Sequence, residues 1–323
     1  MVVAFIKGDL YMRKIKTVFL ILAQIILLQD CSTYVPKLTD SGFSDSRELS
    51  ESQLLKPTSK KLVELISFHT GEIEVDTSIL LSLKKEKKLK NKKFYVPVLS
   101  HLVRHSEKGD ILIDTGMDES FSKSGHGNFG CLAKLVSFAR QKPGMDIGAQ
   151  LKSKNANLSA VYFTHAHLDH TSGVPALPKN IPYYAGKGTI DDSFADIFGV
   201  CSNHLDGIDS IKEIDFNKAA IVKELGKVLD IFGDGTLWAI HTPGHSAGHM
   251  SFLVNTKDGS YLITGDASHT GYGFKNKIPP GKNVNLEQTE ETLNKLIQFV
   301  NRHPEIKLIF GHDIQNTFQP EVD

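Results

Sequence analysis

Cysteine is scarce in this chain, with three residues in 323. Cys31 belongs to a leader-like segment, so only Cys131 and Cys201 remain for a folded domain. Those two can form one disulfide in an oxidising compartment or stay as free buried thiols. Either way, disulfides do not build the fold. Net charge is also absent: 37 Lys and Arg balance 37 Asp and Glu. That removes the electrostatic ground for nucleic acid as a partner. No apolar run is long enough to span a bilayer. Val18–Leu28 is eleven residues broken by Gln24, against the ~20 a spanning helix needs. Repeats of the short solenoid kind are missing too.

The eleven-residue run does fit another role. Arg13, Lys14 and Lys16 precede it, as in the charged start of an export signal. Leu28-Gln29-Asp30-Cys31 resembles a bacterial lipobox, with Gln29 and Asp30 where such signals prefer small residues. The expectation is a lipidated Cys31 on an exported protein held at the cell envelope, with translation starting at Met12. An uncleaved N-terminal anchor is the alternative, and it too places the protein at a membrane. Residues 1–30 are therefore assigned to a signal or anchor. Residues 31–60, polar and rich in Ser, Lys and Thr, read as a flexible tether. Residues 61–323 form the domain. Within it, residues 84–93 carry seven lysines in ten positions, which suits a solvated loop or a contact with anionic lipid.

Histidine carries the chemistry. Residues 164–170 read Thr-His-Ala-His-Leu-Asp-His, in a chain with 14 histidines overall. Val161-Tyr162-Phe163 before them are strand formers. If that strand continues, His165 and His167 project to one side, because side chains alternate with period 2. Asp169 and His170 follow at the turn. Three later segments share one layout: an apolar strand pattern, a glycine, then a ligand type. They end in Gly244-His245, Gly265-Asp266 and Gly311-His312. Ligands at the ends of neighbouring strands converge on one edge of a sheet. One such segment would be weak evidence, and a surface histidine cluster without metal would explain it. Three with one layout, beside the histidine-rich segment 164–170, point to two metal ions.

These residues resemble the metallo-β-lactamase superfamily, from about residue 60 to the end of the chain. The resemblance rests on His165-Ala-His167-Leu-Asp169-His170, on His241-Thr-Pro-Gly-His245-Ser-Ala-Gly-His249, on Thr-Gly-Asp266 and Gly-His312, and on Gly109-Asp-Ile-Leu-Ile-Asp114-Thr-Gly116. It implies a four-layer αββα sandwich of α/β class. It assigns His165, His167 and His245 to one metal and Asp169, His170 and His312 to the other, with Asp266 bridging. The β-lactamases proper lack that bridge, the flavodiiron branch has Glu at the place of His167, and single-iron dioxygenases do not ligate through the Asp169-His170 pair. Acyl-homoserine-lactone lactonases and glyoxalase II-like thioesterases are left as the nearest branch, the lactonases nearer. One departure stands out. A well-studied lactonase type has Tyr three residues after the bridging Asp, where this chain has His269, and Tyr272 lies three residues further on.

The implied function is hydrolysis of an ester, lactone or thioester by metal-activated water, on a small-molecule substrate. Glyoxalase II-like, β-lactamase and phosphodiesterase activities are the enzymatic alternatives. An envelope binding protein with a retained metal site is the non-enzymatic one. Two divalent ions are expected, with zinc the choice that suits His and carboxylate ligands. Asp169 and Asp266 would hold the nucleophile and move its proton. His269 or Tyr272 would polarise the carbonyl. His249 would hydrogen-bond a ligand or a loop backbone. Asp114 is either a turn former or a support for the metals. Oligomeric state is not encoded in any of these patterns.

Elsewhere the periodicity gives strands over 62–68, 94–104, 111–113, 160–164, 228–232, 236–240, 250–254, 261–264 and 306–310. Helices are expected over Cys131–Arg140 and Ile147–Lys152. A longer one places Leu293, Leu296, Ile297 and Val300 on one face and stops at His303-Pro304. Gly271–Gly281 holds too much Gly and Pro for a helix and reads as a loop lining the pocket.

Overall fold

Strands 237–241 and 250–256 are buried at nearly every position, so both of their faces are covered. The computed structural model, which describes residues 34–57, 63–128, 138–190 and 204–322, shows how. Two sheets lie face to face. One has eight strands, ordered Lys37–Asp40, Ser210–Ile214, Tyr183–Gly186, Leu158–Tyr162, Gly109–Ile113, Lys93–His105, Val63–Asp76, Ala139–Arg140. The other has seven, ordered Lys307–Ile309, Gly259–Ile263, Met250–Thr256, Leu237–His241, Gly226–Asp230, Ala220–Val222, Glu48–Leu49.

The period-2 alternation then divides each strand between two cores. Ala239, Phe252 and Val254 face inward and meet Val103, Ile111, Ile113 and Tyr162 of the other sheet. Their neighbours Trp238, Ile240 and Leu253 face outward and pack under Leu293, Leu296, Ile297 and Phe299. Those four come from the helix Leu286–Arg302, whose start is capped where Asn285 accepts from the Gln288 N–H at 3.0 Å. On the far side Leu112, Val161 and Phe163 pack against Ile147 and Leu151 of the helix Ile147–Ser153. Helix, sheet, sheet, helix is the αββα sandwich expected.

Three expectations are corrected. Residues 31–60 are not simply a tether. Lys37–Asp40 pairs in parallel with Ser210–Ile214, and Glu48–Leu49 pairs in parallel with Ala220–Val222, so the segment extends both sheets. Leu54 is fully buried, and Glu51 is bound by Arg302 and His303 at the end of the long helix. Second, Gly271–Asn276 is helical, because Thr270 caps it by accepting from the Gly273 N–H, and it ends at Lys277 in the left-handed region. Third, Ala139–Arg140 is a strand beside Glu72–Ile73, not the end of a helix. Residues 131–137 of the expected helix lie outside the described residues, as do Cys31, Cys131, Cys201 and the N-terminal signal or anchor. Among the described residues no helix is long and apolar enough to cross a membrane.

Candidate metal centre

All the candidate ligands gather where strands of both sheets end. Strand Leu158–Tyr162 delivers His165 and His167, and the single helical turn Leu168–Thr171 that follows delivers Asp169 and His170. His245 lies in the turn after Leu237–His241, Asp266 in a 3-10 turn after Gly259–Ile263, and His312 just past Lys307–Ile309. Sequence reading named all seven, and the structure brings them into two groups joined by one carboxylate.

In the first group, His165 Nε2 lies 2.8 Å from His167 Nδ1 and 3.2 Å from His245 Nε2, with His167 Nδ1 and His245 Nε2 3.0 Å apart. Asp266 Oδ2 sits 3.5 Å from His165 Nε2 and 3.4 Å from His245 Nε2. In the second, Asp169 Oδ2 is 3.3 Å from His312 Nε2 and 3.8 Å from His170 Nε2. Asp266 Oδ1 is 3.4 Å from His312 Nε2 and 3.5 Å from His170 Nε2. The two oxygens of one buried carboxylate therefore face different ligand triads.

Hydrogen bonds on the outer nitrogens turn the inner nitrogens of these rings toward one another. His245 Nδ1 donates to the Lys282 carbonyl at 2.9 Å, and His312 Nδ1 donates to the Pro97 carbonyl at 2.9 Å. A carbonyl only accepts, so each Nδ1 carries a proton and each Nε2 is the atom turned toward the centre. Asp114 does the same for two more ligands. His170 Nδ1 donates to Asp114 Oδ2 at 2.8 Å. Thr164 Oγ1 also donates to that oxygen at 2.8 Å, which turns its lone pair toward His165 Nδ1 at 3.1 Å. Lone pairs of His165 and His245 thus face each other in a buried site. Among the described residues, His170 Nε2 and Asp266 Oδ1 have no hydrogen-bond partner. Such orphans are costly unless something satisfies them. Divalent ions fit: tetrahedral coordination at ~2.05 Å puts neighbouring donors about 3.3 Å apart.

Asp114 is therefore a support for the ligands, held with φ 55 and tied by the Thr164 N–H at 2.7 Å. Asp114→Ala should weaken metal binding about 10- to 100-fold, as loss of such partners does; competition with a chelator measures it. His249 also fulfils its expected role. It accepts the Asp266 N–H at its Nε2, 3.0 Å away, and donates from Nδ1 to Thr242 Oγ1 at 2.7 Å. His241 stays apart, stacked on Phe216 and bonded to the Ala247 carbonyl. Of the two residues expected to polarise substrate, His269 reaches the centre, with Nε2 3.0 Å from Asp266 Oδ2. Tyr272 packs instead against the apolar cluster around Leu81 and Ile278. The carbonyls of Lys282, Pro97 and Leu80 had no sequence signal, because any residue supplies one.

Charge divides the two groups. Burial, aided by the charge of His170 beside His165, holds the first triad neutral. His165 and His245 are driven well below the usual histidine range, and His167 falls to about 4. Burial opposes charge on His170 and His312 as well, but the carboxylates outweigh it. Asp114, Asp266 and Asp169 hold His170 well above its ordinary value, and Asp266 and Asp169 push His312 up to about 10. At pH 7 the second triad must therefore release protons as an ion binds, and the first need not. Calorimetry in buffers of different ionisation enthalpy should show proton release mainly with the ion bound by the second triad, and its affinity should fall as pH falls. Equal release from both would contradict this division.

Residues 95–312 match the family described as the metallo-beta-lactamase superfamily. An N-acyl homoserine lactonase of Agrobacterium fabrum is 26% identical over 228 residues, covering 68% of this chain and 83% of the relative. A Bacillus cereus N-acyl homoserine lactonase is 28% identical over 229 residues, covering 68% and 82%. Among solved structures, an N-acyl homoserine lactone hydrolase with N-hexanoyl-L-homoserine at its catalytic metal centre superposes with a TM-score of 0.62 at 25% identity, covering 80% of this chain and 95% of that one.

Proposed function

Since the chain belongs to the metallo-beta-lactamase superfamily and is an enzyme of the metallo-hydrolase type, we propose that it is a dinuclear hydrolase that opens N-acyl homoserine lactones. The observation that carries this is Asp266, whose two oxygens face two separate ligand triads. Two divalent ions there would supply a water of lowered pKa and stabilise the negative charge that develops on the substrate. The protein's own groups do the rest. Asp266 is fixed by its N–H bond to His249 and by ligands on both oxygens, so it positions and does not move. Asp169 is freer, its side chain 15% exposed against 4% for Asp266. We assign it the proton of the attacking water, returned to the ring oxygen as the lactone C–O bond breaks. Lactonase names among the relatives support the substrate class.

A panel of homoserine lactones, S-lactoylglutathione, a cephalosporin and a phosphodiester tests the assignment. Lactone kcat/KM should exceed the others by at least ~100-fold, the scale on which a built site rejects analogues. Faster thioester or phosphodiester turnover would overturn it. We also propose export and anchoring through Cys31. Fatty-acid label should enter the wild-type protein and not Cys31→Ser, and equal label in both would refute it.

A further inference from the structure

His269 is built like a ligand, not like a hydrogen-bond donor to substrate. It is 3% exposed, and its Nδ1 donates to the Leu80 carbonyl at 3.0 Å. That is the same arrangement that fixes His245 on Lys282 and His312 on Pro97. In all three, a backbone carbonyl takes the proton of the outer nitrogen and turns Nε2 toward the centre. His269 Nε2 points at Asp266 Oδ2 from 3.0 Å. Its ring stands midway between the two groups, with its centroid 5.4 Å from His245 and 5.4 Å from His312. Donor atoms of Asp266, His269 and His312 all lie within 4.8 Å of one another, the same closeness that unites each of the other two groups.

We propose that His269 is an eighth protein ligand, bound beside Asp266 to one of the two ions. This rests on the dinuclear reading of the centre. The position three residues after the bridging Asp is then a coordination site in this chain, where the lactonase type described above carries a tyrosine. Two consequences follow. With one more protein donor, that ion has one fewer place for water or substrate. Carbonyl polarisation then falls to the ions themselves, because a ligating imidazole has no proton to give on that side.

The full chain is loaded with cobalt, and each ion's affinity is read by chelator competition for the wild type, His269→Ala and His269→Gln. The visible band reports coordination number. Loss of His269 should weaken one ion by at least ~100-fold, beyond the 10- to 100-fold of supporting residues, and strengthen the band as coordination drops. Unchanged affinity and an unchanged band in a folded variant would overturn the proposal. If neither variant folds, the wild type decides alone. Loaded with cadmium-113 and nitrogen-15 histidine, it should show six histidine nitrogens split by the metal, whereas five would leave His269 out. Fewer than two ions bound by the wild type would sink the dinuclear reading itself, a result distinct from the loss of His269 alone.

Discussion

Asp266→Asn should cost at least ~100-fold in lactone turnover and abolish the paired loading of two ions. The scale follows from supporting residues of metal sites, whose loss already costs 10- to 100-fold. Asn keeps the size and one carbonyl oxygen, so the fold has no steric reason to change. What disappears is a second anionic oxygen. Oδ2 faces His165 and His245, and Oδ1 faces His170 and His312. An amide can serve one side only, and it presents N–H to the other. Electrostatics compounds the loss. His312 is pushed up to about 10, against the pull of burial, by Asp266 first and Asp169 second. Removing Asp266 lowers that pKa and removes much of the field that attracts a cation. Metal content by elemental analysis should fall from two ions toward one. The rise in Tm on adding metal should shrink with it, because stabilisation follows affinity. Wild-type rates with two ions bound would refute the bridge.

The ligand set was legible because each ligand closes a strand the chain announces by apolar pattern. His165 and His167 follow Val161-Tyr162-Phe163, and Asp266 follows Tyr261-Leu262-Ile263. The outer helix was legible for a similar reason: Leu293, Leu296, Ile297 and Val300 repeat at helical spacing, and Pro304 ends the pattern. Residues 37–49 were not, because their strands are two and four residues long and pair with segments more than 170 residues away. Nothing local marks such an edge strand. The helix Gly271–Asn276 was hidden by its glycines, whose poor propensity is overridden by the Thr270 cap and by packing of Phe274 under Phe310. Asp114 could be read two ways until Thr164 and His170 were seen on its carboxylate.

Gly311→Ala is the smallest change expected to disable the centre. In the sequence Gly311 is one of several glycines before a ligand, a place where glycine commonly lets the backbone turn. That reason holds for Gly265, whose φ is 52. It does not hold for Gly311, which is not among the residues with positive φ. Its constraint is space: an added Cβ would stand 2.4 Å from Asp266 Oδ1 and 2.9 Å from the Gly265 carbonyl oxygen. Neither neighbour can give way cheaply. Gly265 O is backbone at a turn, and Asp266 is pinned by its own N–H on His249. The methyl would push the bridging oxygen away from His312 and His170, so a one-carbon substitution should act much like loss of the bridge. Metal affinity at the second triad should drop about 10- to 100-fold, and activity should fall with it. His165, His167 and His245 should keep their ion, since they meet the other oxygen. Two-site chelator competition separates these outcomes: both ions held at wild-type affinity would show that Gly311 is not needed for the approach of the carboxylate.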